Sequence, residues 1–184
     1  MKRALAACIV IALTMSADAW AQAEPVFSTR NAEEEAPPWQ EIEVALPTRP
    51  RSGSLVEFYV SATTRNRFFI DDQSIDIGAD GVVRYILVIR STGADSTRFE
   101  GVRCQGAMRR VYAFARADGS WSPARNSTWQ SVARGQTINR DGWVLAGELL
   151  CRGNGPRTPK ESIVQALRDS FSKVGDPSFE QSLP

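Results

Sequence analysis

Alternating apolar and polar positions predict that most of the chain between residues 55 and 116 forms β-strands. The clearest strand is residues 82–90 (VVRYILVIR), whose odd-numbered positions are apolar up to residue 89 while Arg84 and Arg90 mark the opposite face. The same pattern predicts strands at residues 55–62, 67–71, 74–77, 97–104 and 110–116. Asp-Gly pairs at residues 80–81 and 118–119 signal tight turns. Gly101 predicts a β-bulge, and the two apolar faces of 110–116 predict a central strand covered on both sides.

The end of the chain carries the signature of one helix. Thr158 is a hydroxyl cap, Pro159 occupies the first helical position, and Glu161 completes a capping box. The apolar stripe consists of Ile163, Leu167 and Phe171, and Gly175 ends the helix. Residues 141–150 fit either a short helix or a strand. The predicted fold class is mainly β (α+β): a single antiparallel sheet or partly closed barrel with one C-terminal helix packed on it.

Residues 1–23 have the pattern of a cleaved signal peptide. Lys2 and Arg3 precede an apolar run over residues 4–15, and small residues then provide two overlapping cleavage sites, so the mature chain would begin near Gln22 or Glu24. The alternative is an uncleaved anchor, but a helix needs about 20 apolar residues to span a bilayer. A lipoprotein-like box ends at Cys8, too early in the run to be cleaved. We therefore expect a periplasmic protein with no transmembrane segment after cleavage.

Composition divides the remainder into three parts. Residues 24–50 are acidic and rich in proline, with six glutamates against two arginines, and read as a tether. Within them, alternation at residues 41–46 predicts a strand with one packing face. Residues 51–175 form the folded domain with its C-terminal helix, and 176–184 are a tail.

Cysteine and histidine content restrict the chemistry. Cleavage leaves two cysteines, Cys104 and Cys151, which in an oxidising compartment predict one disulfide; two separate buried thiols are the alternative. The chain has no histidine. This excludes histidine-based nucleophile systems, zinc sites with imidazole ligands and a side chain that titrates near neutral pH. We expect no metal and no cofactor.

Near-balanced charge, with 22 basic and 21 acidic side chains, argues against a nucleic-acid partner. Arginine and tryptophan side chains are the candidate binding residues, because such mixtures occur at the centres of interfaces. Arginine stems covering strand edges and tryptophans in ordinary packing are the alternatives. The candidates are Arg65, Arg67, Arg103, Trp121, Arg125 and Trp129.

Carboxylates provide two weaker candidates. Four of them in residues 71–80 suggest calcium, but the spacing does not match the helix-flanked calcium loop, and a strand between two turns is favoured. Glu57, Asp71 and Glu100 on neighbouring strands would suit two-carboxylate glycan hydrolysis, although nothing in their spacing requires it. The hydroxyl-rich residues 61–64 have no base nearby in the sequence.

Several sequence blocks occur in a distinctive order: residues 59–64 (YVSATT), 66–69 (NRFF), 80–85 (DGVVRY), 99–104 (FEGVRC), 112–114, 118–121 (DGSW), 124–127 (ARNS), Trp129, Asn139 and Cys151. In these blocks the chain resembles the cryptic-neisserial-protein-like (CNP-like) family of exported bacterial proteins without an assigned activity. The resemblance covers roughly residues 39–156 and implies one compact domain after a signal peptide. It supplies no catalytic residues.

Together these patterns predict a non-enzymatic binding or structural module of the periplasm with an unknown envelope partner, either a protein or a cell-wall component. One alternative is a histidine-free hydrolase of envelope glycans that uses two carboxylates. The other is an arginine-based anion-binding module.

Overall fold

An eight-stranded antiparallel sheet organises the domain. The computed structural model describes residues 38–48, 54–132, 139–172 and 174, so the predicted leader, most of the tether and the tail lie outside the described residues. The chain divides into two units, Met1–Pro38 and Trp39–Pro184, and the description below concerns the second. Its strands are β1 (Leu55–Phe58), β2 (Arg67–Asp71), β3 (Asp76–Ile77), β4 (Val82–Arg90), β5 (Ser96–Arg103), β6 (Met108–Ala115), β7 (Trp121–Pro123) and β8 (Gln130–Ser131).

The sheet is open and has the strand order β1-β2-β4-β5-β6-β7, with β3 paired to β4 and β8 paired to β6. This confirms the predicted antiparallel sheet with one C-terminal helix. Strand β4 lies in the middle and is buried along nearly its whole length, because both of its faces are covered. Its odd-numbered side chains enter the larger core, and Ile86 and Val88 enter a second cluster on the opposite face.

Helices cover the first of these faces, here called the inner face. The segment left ambiguous by the sequence forms a short helix, α1 (Arg140–Val144), continued by a single π-helical stretch, Leu145–Leu149. Helix α2 (Lys160–Asp169) buries Ile163 and Leu167 on the same core, as the stripe predicts. A small hairpin of β9 (Cys151–Arg152) and β10 (Gly155–Pro156) connects the helices.

The details of α2 differ from the expectation. Pro159 stands at the cap position rather than inside the helix, and no side chain caps the N-terminus. The helix ends at Asp169, where the Ser170 hydroxyl donates to the Leu167 carbonyl and accepts the backbone N–H of Tyr59. Phe171 therefore lies beyond the helix and is half exposed.

The predicted bulge at Gly101 was wrong in position. Gly101 pairs regularly with Arg84 and Arg110, and the register instead shifts between Phe99 and Glu100, where β6 contributes the extra residue Tyr112. The bulge breaks the alternation of β6, so Val111 and Phe114 share the inner face while Tyr112 joins the outer cluster. Gly101 provides room for this arrangement, since a Cβ there would lie 2.6 Å from the Tyr112 hydroxyl.

Residues 39–48, here called the strap, lie across the second or outer face of the sheet. The sequence assigned them to the tether and predicted a strand at 41–46, but the described strap has no strand. Of the three alternating apolar residues, Val44 packs against the outer cluster, whereas Ile42 and Leu46 are exposed. Side-chain hydrogen bonds rather than a β-ladder hold the strap in place, which is why alternation alone misread it.

The disulfide prediction is confirmed. Cys104 follows β5, Cys151 begins β9, and their Cα atoms lie 5.6 Å apart, joined by a bond between the sulfurs. The bond ties the sheet to the helical layer. Among the described residues, no helix combines the length and apolar character needed to cross a membrane.

Candidate functional site

A polar pocket of about 400 Å³ opens on the inner face beside the start of α1. It is lined by Val60, Ser61, Thr63, Thr64, Asn66, Phe68, Ile89, Arg98, Asn139, Arg140 and Asp141. The loop between β1 and β2 supplies the hydroxyls, β5 supplies Arg98, and the start of α1 with its cap residue Asn139 supplies the last three residues. The pocket therefore unites parts of the chain that are far apart in sequence.

Local turns hold the hydroxyl groups of the loop in position. The Ser61 hydroxyl accepts the backbone N–H of Thr63 at 3.2 Å and lies 2.9 Å from its hydroxyl. Thr64 accepts the backbone N–H of Asn66 in the same way. Short hydroxyl side chains make such turns readily, so residues 61–66 fold into a defined polar rim.

Arginine side chains form the positive part of the pocket. Arg140 donates to the Ser61 hydroxyl at 2.6 Å, and Arg98 lies 3.4 Å from the Glu100 carboxylate. The Nε of Arg140 is buried and has no hydrogen-bond partner among the described residues. A buried donor left unpaired costs roughly 1–3 kcal/mol. Stability alone therefore does not explain this arginine.

A buried network of charged side chains contacts the residues that line the pocket. Glu100 is fully buried, accepts the Tyr85 hydroxyl at 3.3 Å, and lies 3.9 Å from Arg109. Arg109 also donates to Asp141 at 3.0 Å and to the Asn139 side chain at 2.9 Å. Replacing such a network with packed apolar residues is often neutral or stabilising. We therefore interpret it as a means of orienting the groups around the pocket.

The cap residue of α1 and one residue inside the helix make this network possible. Asn139 adopts the left-handed region with φ of 74°, which asparagine tolerates better than most residues, and its side-chain oxygen accepts from Arg109. Gly142 leaves space for the same guanidinium, since a Cβ there would lie 3.1 Å from Arg109 Nη1.

Electrostatics make the pocket net positive. Arg98, Arg109 and Arg140 face two carboxyl groups, Glu100 and Asp141. Burial raises the pKa of Glu100, although Arg109 acts against that shift, and so favours its neutral form. Burial alone would lower the pKa of Arg109, but its two carboxylate neighbours raise it overall, so it stays charged. Cations therefore outnumber anions in either state of Glu100, which suits an anionic ligand.

Three of the candidate arginines predicted from sequence do not form one site. Arg67 pairs with Arg90 and Arg103 pairs with Val82, at opposite ends of β4 and thus roughly 26 Å apart along the strand. Arg67 forms an exposed ion pair with Glu57, and Arg65 is exposed in the loop beside the pocket. Arg103 lies over the Trp39 ring with its Cζ 4.5 Å from the ring centroid.

The candidate tryptophans are occupied by the strap. Trp129 donates its indole N–H to Glu41 at 2.9 Å, and Trp121 donates to the Pro47 carbonyl at 2.7 Å. Arg125 is exposed and lines a separate shallow pocket with Phe114 and Pro123. Arg103 and Trp129 thus lie at the end of the strap that carries Trp39. Trp121 lies at the other end of the strap, and Arg125 lies at neither end of the described strap.

The candidate carboxylates are not brought together. Glu57 pairs with Phe69 on the outer face, whereas Glu100 pairs with Tyr85 on the inner face. Asp71 accepts the backbone N–H of Gln73. Glu100 and Asp141 do share Arg109, but this guanidinium contacts both, and Glu100 is fully buried, so they do not form an open two-carboxylate cleft. In the part of the chain that the structure describes, no cluster of acidic or cysteine side chains is arranged to hold a metal ion.

Sequence reasoning missed the pocket residues Arg98, Arg140 and Asp141. Their signals were present in the hydroxyl-rich run 61–64 and in the polar residues 139–141 before an apolar stretch. Each was weak alone, because nothing in the chain order shows that the two segments meet.

Fold and site together define a small disulfide-linked antiparallel β protein with a helix-covered inner face and a cationic pocket. The chain belongs to the CNP1-like family, whose model matches residues 34–168. The matched region includes the strap, the sheet, the disulfide and nearly all of α2. No curated protein and no solved structure is significantly similar to the chain.

Proposed function

We propose that this protein is an exported, periplasmic binding module, without enzymatic activity, that holds an anionic group in the polar pocket of the inner face. The observation that carries the proposal is the convergence of Arg98, Arg140 and the Ser61–Thr63 hydroxyl pair on one pocket. Guanidinium groups and hydroxyls together provide charge and directed donors for a carboxylate or phosphate. The pattern of residues 1–23 and the disulfide support the periplasmic location.

The pocket suits binding better than hydrolysis. Its charged groups are held by one another rather than arranged around an open reacting centre, and the histidine-free chain offers no general base near neutral pH other than carboxylates. A ligand with a terminal anion would replace solvent around Arg140 without breaking the Arg109 network. The proposal therefore takes up the arginine-based anion-binding module that the sequence offered as an alternative, with different residues.

Binding to the mature chain is measured by NMR titration at neutral pH, with inorganic phosphate and acetate as the two probes. We expect saturable shifts at Ser61, Thr63 and Arg140, and affinity that falls as salt rises from roughly 0.01 M to 1 M. Arg140→Gln should weaken binding about tenfold, the equivalent of one charge-assisted hydrogen bond. Arg152→Gln, an exposed arginine outside the pocket, is the matched control. Equal affinity of both variants, or no saturable shift with either probe, would overturn the assignment.

Export is tested separately by intact-mass measurement of the protein from its native host. A mature start near Gln22 or Glu24 in the periplasmic fraction is expected. An intact Met1 in the cytoplasmic fraction would contradict the proposed location while leaving the pocket unaffected.

A further inference from the structure

The outer face holds the strap in the way a receptor holds a peptide. The Glu41 carboxylate accepts hydrogen bonds from Tyr112 at 2.5 Å and Trp129 at 2.9 Å, and it pairs with Arg110. Arg84 approaches the same carboxylate at 3.4 Å. Four donors from three separate parts of the domain thus converge on one glutamate of an otherwise irregular segment.

Side chains of the domain also form hydrogen bonds with the backbone of the strap. The N–H of Ile42 donates to the Asp80 carboxylate at 3.0 Å, and its carbonyl accepts from Arg84 at 3.1 Å. Asp80 and Arg84 are themselves paired and almost completely buried, so this amide clamp is rigid. Because the clamp contacts the main chain, it places no demand on the side chain at position 42, which is 45% exposed.

Aromatic contacts define the two ends of the strap. Trp39 donates its indole N–H to the Asp80 carbonyl at 2.8 Å, and its ring meets that of Trp129 edge-on at 5.7 Å. At the other end, the Trp121 indole binds the Pro47 carbonyl. The hydrogen bonds that join the described strap to the described sheet all involve a side chain, in contrast to the backbone ladder that binds a true strand.

Packing beneath the strap is incomplete. An open, mostly apolar pocket of about 270 Å³ lies between the strap and the sheet and includes Val44, Leu46, Phe99 and Tyr112 in its lining. The strap therefore leaves part of the outer face beneath it unfilled.

We infer that the outer face is a peptide-recognition groove whose resident occupant is residues 39–47 and whose partner is an extended acidic segment with the same pattern. The pattern is tryptophan, then glutamate two positions later, then a small aliphatic residue three positions after the glutamate, corresponding to Trp39, Glu41 and Val44. The positions between them are exposed or contacted through their backbone and are free to vary. This groove is distinct from the anion pocket and does not depend on it.

The strap and the groove belong to one chain, so the strap competes with any separate partner for the groove. A tethered segment experiences an effective concentration on the order of millimolar, so it occupies the groove until a partner of higher affinity or a weakened strap allows exchange. Glu41→Gln weakens the strap because an amide presents an N–H₂ toward donors that require an acceptor.

The experiment uses the full mature chain and a fluorescein-labelled synthetic peptide of residues 38–48, with binding followed by fluorescence anisotropy. We expect the Glu41→Gln chain to bind this peptide at least about tenfold more tightly than the wild-type chain, whose groove is occupied. A peptide that carries the same Glu41→Gln change should bind neither. Glu43→Gln is the matched control chain, because Glu43 is exposed on the same strap, and it should behave like the wild type.

A second measurement needs no variant. Native-state hydrogen exchange should show that the Ile42 amide opens locally, with a smaller free energy than the Leu87 amide in the central strand. Equal protection of the two amides, or failure of a folded Glu41→Gln chain to bind the wild-type peptide, would show that the strap is an integral part of the fold and overturn the inference.

Discussion

Gly101→Ala is the sharpest test of how the sheet supports the strap. The added Cβ would lie 2.6 Å from the Tyr112 hydroxyl and 3.0 Å from both its Cε2 atom and Val82 Cγ1. Ordinary contact begins near 3.4 Å, so the hydroxyl must retreat by roughly 0.8 Å. A retreat away from the strap lengthens its 2.5 Å hydrogen bond to Glu41 past the usual O–H···O range.

The magnitude follows from two opposing effects. A hydrogen bond to a charged group contributes about 1.5–3 kcal/mol, and alanine in a strand interior gains back about 0.5–1 kcal/mol over glycine. We therefore expect a net destabilisation of about 1–2 kcal/mol. For a chain of this size each kcal/mol corresponds to a melting-temperature decrease of about 2–4 °C.

Urea unfolding of a double-mutant cycle with Tyr112→Phe isolates the effect. In the Tyr112→Phe background the closest contact of the added Cβ is absent, and the hydrogen bond to Glu41 is already lost. Gly101→Ala should therefore lower the free energy of unfolding by about 1 kcal/mol less there than in the wild type. Gly93→Ala is the control, because a Cβ there meets nothing within 4 Å. The reasoning is refuted if Gly101→Ala costs the same in both backgrounds or proves stabilising in the wild type.

Three further outcomes are expected. The Cys104→Ala/Cys151→Ala variant removes a link across 47 residues, and the chain-entropy relation predicts that its free energy of unfolding in urea falls by about 4 kcal/mol. A wild-type chain that is equally stable with and without reductant would contradict this prediction. Because burial raises the pKa of Glu100, the free energy of unfolding of the wild-type chain should fall as pH rises above the unfolded-state pKa of about 4.3. The Glu100→Gln chain should lack this pH dependence, and superimposable stability-against-pH curves for the two chains would disprove the prediction. Burial alone would raise the pKa of Glu41, but hydrogen bonds from its donors lower it, so strap docking should persist above pH ~4.3 and be lost as pH falls through the lower folded value. Tryptophan fluorescence reports that release, and an acid transition equally present in Glu41→Gln would argue against it.

Much of the fold could be predicted because its signals are local. The alternation in β4 and the stripe of α2 depend only on residues two to four positions apart. Strand β4 formed over the predicted residues, and α2 buries Ile163 and Leu167 as expected although it ends before Phe171. The cysteine pair was also predicted, since cleavage of residues 1–23 would leave two of the three cysteines, which allow one intramolecular bond. The errors came where one strand depends on another: the bulge sits opposite Glu100 at Tyr112, not at the glycine that appeared to break β5.

The candidate site was much harder to predict. Trp121, Trp129 and Arg103 were singled out as binding residues, and they do contact a peptide segment, the strap of the same chain. The inner pocket escaped notice because Ser61 and Arg140 are 79 positions apart and neither has a recognisable motif around it.

By itself, the amino-acid sequence determined most of the strands of the sheet, the C-terminal helix, the cysteine pair expected after cleavage, and the absence of histidine-dependent chemistry. Only the tertiary structure decided that Glu41 is surrounded by four donors, that Arg109 joins Glu100 to Asp141, and that the hydroxyl loop faces Arg140. The physical reason is that hydrophobic periodicity reflects the geometry of a single helix or strand. The electrostatic field and the hydrogen bonds at a site come from several elements that sheet register and helix packing bring together, and no local pattern encodes that arrangement.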